Sequence, residues 1–580
     1  MDKYDENDEL EGLEIFGNSK LPNKDIGWRF YQRSLDFKNS INLFDTVKVN
    51  ENFFVGKQWE GVEANGLPTP TFNIIKRVVS FITATITSDS IKVTATPLPN
   101  VVNAMEMEQI STTVNNEIAF LFETNKIPAK TRHFARNAAV DGDGCTYTYW
   151  DTSVETGQAA KGGIKTEIIS NRLVHFGNPN DSDVQSQPWI IIEMREPVRT
   201  AKRRAKKNGI STWADIVSDE AQYGIDDAKR TDDKVTVLLM LWKDEDTGEV
   251  WSYEFTKTSA ITEAQSIGIR MYPITWLSWD AVEDCYHGQA MMTGLVPNQV
   301  FINKTWALSM VSIMRNSFPT RIYNKTLIHR LDNRVGAAYG IPGGDINNVV
   351  KDIDPPAISP QVSQYIELAI NETESSLGAT SVALGDTRPD NTSAIIALQR
   401  AAATPSEMTK QNLYDATEDL ARIYFEFMAE YYGERIVMRP PDEQIVAALE
   451  FAGEVVPKEV PTPFDFAVLK QHPMILKLDV GASTYYSEIA AMSTLDNLLR
   501  QGLITITQYL ERVSDDYIPK RQALIEEIKQ REAAMMQQMP DVSASATAAE
   551  DTGKMDIPTG GGYSALQRKI NETGTTEGVI

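Results

Sequence analysis

Phosphate chemistry needs glycines followed by a lysine and a hydroxyl at fixed spacing, because backbone amides and an ammonium group together hold the phosphates. The glycine-rich stretches "VDGDGC", "GIPGGD" and "TGGGYS" all lack the Lys-Ser/Thr ending. Each reads as a turn, and the chain does not read as a motor ATPase. Zinc chemistry needs clustered histidines or cysteines. His133, His175, His287, His329 and His472 are far apart, with no H-x-x-x-H spacing among them, so they read as ordinary surface or core residues. "NPNDSDVQSQP", Asn178 to Pro188, has oxygen ligands that suit calcium but lacks the loop glycine and terminal glutamate of an EF-hand. An Asx-rich turn is the expectation there. No G-x-S-x-G nucleophile elbow is present. The sequence predicts no catalytic residue, no metal and no cofactor.

One segment runs against the overall charge. The chain has 56 Lys and Arg against 80 Asp and Glu, a net charge of -24 and a pI near 4.8. That balance argues against coating nucleic acid, which needs cations to displace counterions. Yet "RTAKRRAKKNG" packs Arg199, Lys202, Arg203, Arg204, Lys206 and Lys207 together. It reads either as a nucleic-acid contact or as a solvated helix that pairs with acidic neighbours or another subunit. Cys145 and Cys285 are too few for a disulfide framework and fit a reducing compartment. The acidic "MDKYDENDELEGLEIF" does not read as a signal peptide. "FNIIKRVVSFITATIT" carries Lys76 and Arg77, so no membrane span is expected.

The elements that position these residues follow from periodicity. At 580 residues more than one structural region is expected. A helix is predicted over about residues 27 to 50, and another where Ile75, Val79, Ile82 and Ile86 recur at helical spacing. A strand follows at Ile91 to Thr96, then two helices divided near Pro128. Residues 144 to 280 alternate like strands, with the basic segment as a helical insert. Helical pattern returns in "LVPNQVFINKTWALSMVSIMRNS", gives way to short strands and turns over residues 318 to 358, and resumes up to Gly378. A polar loop ending in "LGDTRPDN" then precedes a long helix from Thr392 to Tyr432. Leu413, Ala416, Leu420, Ile423 and Phe427 share one face of it, and Pro405 kinks it. Short strands occupy about 435 to 481, helices follow, and the tail from Pro540 is too small and polar to build a core.

This order, together with "GKQWEG", "NGLPTPTFNIIKRVVSFITATI" and "VPNQVFINK", resembles the portal protein, or head-to-tail connector, of tailed bacteriophages, in its short-tailed-phage type. The resemblance covers roughly residues 27 to 535 and implies a mixed α+β, largely helical fold. It implies an acidic arm at 1–26, a wing α/β region at 27–293, a stem helix at 294–317 and a clip at 318–358. A second stem helix at 359–377, a tunnel loop at 378–391 and a kinked helix at 392–434 would follow. Wing strands at 435–484, crown helices at 485–539 and a flexible tail at 540–580 would complete the chain. It further implies a ring of about twelve copies at one capsid vertex, through which double-stranded DNA is packaged and ejected. The partners implied are the terminase large subunit, a major capsid or scaffolding protein and a neck or tail adaptor, in a virion assembled in the host cytoplasm, with no membrane.

Under that resemblance the loop residues Asp386, Thr387, Arg388, Pro389, Asp390 and Asn391 line the DNA channel. Lys325 and Arg330 contact DNA or terminase from the clip, and Pro405 marks the helix kink. Lys202, Arg203, Arg204, Lys206 and Lys207 form a subunit interface or a nucleic-acid patch. The competing expectations are a metal-dependent DNA-processing enzyme whose carboxylates are scattered in sequence, or another structural phage head or neck component.

Overall fold

Helix α1, Lys24–Ser40, forms where Gly27, Phe30, Tyr31, Ser34 and Lys38 fall on one buried face, and the Asn23 side chain accepts the Asp25 amide to cap it. The computed structural model describes residues 22–63, 66–88, 91–98, 104–158, 161–219, 233–317, 320–330, 349–353, 360–375, 406–439, 460–472, 474–480, 485–502 and 504–513, with the short pieces 524–525 and 527–529. The described fold is mixed α+β and about half helical. It divides into two compact units, residues 1–486 and 487–580.

The single helix expected over about 27 to 50 is two. Asn42 sits at φ 54 between α1 and α2, Leu43–Val55. A left-handed residue cannot continue a right-handed helix, and asparagine adopts that conformation more readily than most. Helix α3, Ile74–Ile86, buries Ile75, Val79, Ile82 and Ile86 as their spacing predicts, with Val78 beside them. Strand β1, Ile91–Pro97, is followed by α4, Ala104–Thr124, and by α5, Ile127–Asp141, which starts after Lys126 with Pro128 in its first turn.

Two antiparallel sheets come next. In the first, β2, Asp143–Asp151, lies between β3, Gly163–Ser170, and β9, Ile274–Ser278. In the second, β4, Val174–Phe176, β5, Trp189–Pro197, β6, Lys234–Lys243, β7, Val250–Phe255, and β8, Gln265–Ser266, lie side by side. The basic helix α6, Val198–Lys207, leaves the end of β5. Strand β6, "KVTVLLMLWK", is buried on both faces, with members in each of two apolar clusters. Burial on both sides explains why it reads as a continuous apolar run instead of an alternation.

A hairpin of β10, Asp280–Val282, and β11, Cys285–Gln289, leads into the 27-residue helix α7, Met291–Ser317. Strands β12, Thr320–Tyr323, and β13, Val350–Ile353, pair antiparallel. Helix α8, Pro360–Ser375, packs on α7, and α9, Glu407–Tyr431, buries Leu413, Ala416, Leu420, Ile423 and Phe427. Strand β14, Glu434–Arg439, pairs with β15, Val460–Asp465, and β16, Met474–Val480, returns to pair with β1. The second unit contains most of α10, Tyr485–Arg500, and α11, Ile506–Arg512, which Thr505 and Gln508 cap reciprocally.

Helix α7 is fastened to the start of α3 by one buried amide. Gln299 accepts the Ile74 and Ile75 amides at 3.2 and 3.4 Å, donates to the Phe72 carbonyl at 2.6 Å and reaches Asn303, which in turn donates to Gln58 at 2.7 Å. First-turn amides have no partner inside their own helix, so Gln299 supplies one. Gln299→Ala takes the acceptor from the Ile75 amide, while Ile74 keeps the Phe72 carbonyl, and is expected to destabilise the subunit by about 1 kcal/mol. A lowered urea midpoint checks this, and an unchanged midpoint refutes it.

Candidate functional site

The basic helix is built by two alanines. Ala201 and Ala205, four apart, are fully buried, so α6 lies on the sheet and turns its charges outward. Arg204 bends back to its own subunit, donating to Glu196 at 3.0 Å and to the carboxylate of Glu254. Burial pushes the Glu254 carboxyl up, and Arg204 opposes that rise. The Lys206 ammonium lies 5.3 Å over the Trp213 ring. Arg203 and Lys207 are exposed and Lys202 half-buried. The five predicted cations therefore separate: Arg204 and Lys206 serve their own fold, while Lys202, Arg203 and Lys207 stay on the outer face.

Lys325 and Arg330 are both exposed. They follow β12 in a turn where Asn324 donates its amide to Val349 and accepts the Thr326 amide. The loop residues Asp386, Thr387, Arg388, Pro389, Asp390 and Asn391 lie outside the described residues, as does Pro405. The described part of the long helix begins at Glu407, behind Ser406.

At 178–187 the side chains of Asn178, Asp181 and Asp183 each accept the amide two residues on, the Asx-turn geometry expected. Among the described residues no group of three His, Cys, Asp or Glu is placed to hold a metal. None of their helices is long and apolar enough to cross a membrane.

Among the described residues, helix α7 carries a run of exposed apolar side chains. One face packs on α2, α3 and α5, yet Phe301, Leu308, Met310, Ile313 and Met314 are exposed, Leu308 to 64%. On α8, Tyr365 and Leu368 are exposed as well. So many large apolar side chains on neighbouring helices mark an interaction face.

A buried polar seam lies beneath α1. The Asp143 carboxylate accepts from Gly288 N at 2.8 Å and Ser278 Oγ at 3.0 Å, and faces His287 Nδ1 at 2.7 Å and Asn171 Nδ2 at 3.3 Å. Lys38, entirely buried, donates to the carbonyls of Asn171, Arg172 and Val174 at 3.0, 2.9 and 2.6 Å. Three acceptors match the three protons of an ammonium group. Burial draws the Lys38 pKa down to about 7, against the attraction of Glu193 and Asp143. Ser34 Oγ lies 2.9 Å from His175 Nδ1, and Tyr31 donates to Glu193 at 2.8 Å. Burial holds both His175 and His287 below the ordinary imidazole range.

Two sequence signals pointed to this seam. Tyr31, Ser34 and Lys38 share the apolar face of α1, and Asp143 stands between two glycines in "VDGDGC". That stretch is only half a turn: Gly142 caps α5 at φ 102, whereas Gly144 lies inside β2, against the Phe134 carbonyl. "GIPGGD" and "TGGGYS" fall outside the described residues.

Carboxylates, a lysine and histidines buried together are compatible with an enzyme or with a scaffold, and family membership separates the two. The family model for the phage P22-like portal protein matches residues 29–444. The chain belongs to that family. No curated protein matches it. A phage portal is a structural, non-enzymatic component of the virion, so the seam is framework and not a catalytic centre. Portal membership also implies an oligomeric ring and DNA as a partner. The match opens inside α1 and spans both sheets, α6, α7, α8 and α9.

Proposed function

We propose that this portal chain closes into a ring of about twelve copies at one capsid vertex. The ring is the channel for DNA packaging and ejection, and the docking platform for terminase and later for neck or tail proteins. In this reading residues 27–293 are the wing, 294–317 and 359–377 the stem, 318–358 the clip, 378–391 the tunnel loop and 392–434 a helix kinked at Pro405. Residues 435–484 return to the wing, and the helices of 485–539 form a crown. Asp386 to Asn391 face the channel, and Lys325 and Arg330 meet DNA or terminase. The net charge of -24 suits a wall that duplex DNA must slide past, because carboxylates repel phosphates within a Debye length.

The observation that carries the ring is the bare apolar face of α7, since a head-to-tail ring covers such a face on every copy. Leu308→Asp with Ile313→Asp introduces two charges there. Losing the burial of two large apolar side chains costs about 3 to 6 kcal/mol per interface. Native mass and end-on electron-microscope averages should give rings for the wild type and folded single subunits for the variant. A wild type that stays monomeric at every concentration would sink the reading.

The outer cations of α6 are assigned to an acidic face of the neighbouring subunit. Lys202→Glu with Arg203→Glu, which leaves Arg204 in its own ion pairs, is expected to weaken the rings most at low salt. Rings unchanged in mass and salt sensitivity would count against this assignment.

A further inference from the structure

The seam places two histidines, two carboxylates and a lysine under the first described helix, and α1 is held through it at three points. Tyr31 holds Glu193 of β5, Ser34 holds His175 of β4, and Lys38 holds the carbonyls of residues 171, 172 and 174. We infer that this seam is an acid-operated latch, which keeps α1 seated while His175 and His287 are neutral and releases it when both take up a proton.

The geometry leaves a new proton badly placed at both rings. His287 already engages Asp143 through Nδ1, and its Nε2 is buried without a hydrogen-bond partner. The rings of Tyr286 and Trp276 lie 4.0 and 5.7 Å away. An N–H formed at Nε2 would therefore have no acceptor, and a buried unpaired donor is costly. His175 Nε2 is likewise buried and unpartnered, and the nearest carboxylate oxygen, Glu193 Oε2, is 3.9 Å away. That oxygen already accepts the Tyr31 hydroxyl. A protonated His175 that closes on Glu193 competes with the bond that holds α1.

Charge works in the same direction. The groups facing the seam are Tyr31 and Lys38 from α1, Asp143 and Cys145 from β2, His175 from β4, Glu193 from β5, and Tyr286 and His287 from β11. The Arg172 side chain turns away to Ser170. Burial keeps the Cys145 thiol and the Tyr286 phenol in their neutral forms. Lys38, drawn down to about 7, gains its own charge over the start of the same fall in pH, so the two carboxylates face three cations once the histidines are protonated as well.

The sign follows from linkage. Both imidazoles have depressed pKa values in the fold, so the released state binds more protons below their ordinary value of 6.5. Lys38 weakens the seating of α1 as pH falls from 10.5 to about 7, and the two histidines weaken it further from 6.5 toward their folded values, with no further change from them below those values. Release uncovers Phe30, stacked on Trp189 at 5.1 Å, and the seat of Gly27 on Phe255. The latch belongs to the single subunit and does not depend on the ring.

Hydrogen exchange of the full chain, read by mass spectrometry at pH 7.5 and pH 5 and corrected for intrinsic exchange rates, tests it. Protection of residues 24–40 should fall by about tenfold or more at pH 5, while β5 and β6 hold theirs. His175→Gln with His287→Gln should keep α1 protected at pH 5. Equal protection of α1 at the two pH values, or the same loss in the variant, overturns the inference. Exchange at the imidazole C2 carbons of the wild type gives a reading that needs no variant. His175 and His287 should titrate below 6.5 and in step with α1 release, and titration at the ordinary value would also overturn the latch.

Discussion

Replacing Asp143 by alanine should destabilise the subunit by about 3 to 5 kcal/mol, the range found when one partner of a buried charged network is removed. The carboxylate has four neighbours, the Gly288 amide, the Ser278 hydroxyl, His287 Nδ1 and the Asn171 amide, of which Ser278 keeps the Tyr286 carbonyl and Asn171 the Asp141 carbonyl, while Gly288 and His287 Nδ1 lose their acceptor. Lys38 also loses one of the two carboxylates that hold its charge in an apolar place. Asp143→Asn keeps an oxygen for Gly288 and Ser278 but removes the charge, so it should cost less than half as much. Urea midpoints followed by tryptophan fluorescence should rank wild type above Asn and Asn above Ala. If Asn and Ala fall together, the hydrogen-bond role of Oδ1 is wrong.

The second large effect is expected one residue earlier. Gly142 lies at φ 102, a conformation that L side chains rarely adopt, and a Cβ there would stand 2.5 Å from the Gly288 carbonyl oxygen. The obstacle is backbone, which cannot rotate aside as a side chain can. Gly142 also accepts the Trp279 amide through its own carbonyl, so the approach of the two chains is fixed. Gly142→Ala should cost about 4 kcal/mol, from left-handed strain and overpacking together. Gly209 provides the control. It lies at φ 79, and a methyl group added there would meet nothing within 4 Å, so Gly209→Ala should carry only the backbone penalty of about 1 kcal/mol. Similar midpoints for the two variants would mean that the contact with Gly288 is not the determining factor.

Helical faces were legible because burial follows spacing. Ile75, Val79, Ile82 and Ile86 on α3, and Leu413 to Phe427 on α9, occupy the core as their intervals require. The break at Asn42 was not legible, since its neighbours keep a helical pattern and only the backbone angle separates α1 from α2. Lys38 was hidden by its type. A lysine on a helix is ordinarily solvated, and only the convergence of three carbonyls from a turn more than 130 residues away makes its burial tolerable. The same holds for His175 and His287, which are far apart in sequence and meet only through the packing of β4 and β11 around α1. The basic helix was visible as a charge run, but its division into inward Arg204 and outward Arg203 depends on where Glu196 and Glu254 fall.

The pairing of β1 with β16 has a kinetic meaning. Thr96 bonds to Ile475 across 379 residues of chain, so β1 emerges from the ribosome long before its partner exists. Contacts of such separation form late. Until residue 474 is translated, β1 presents an open edge of the kind that captures strands from other chains. A chain cut short before β16 leaves the β1 backbone groups that pair with residues 474–480 without their partner.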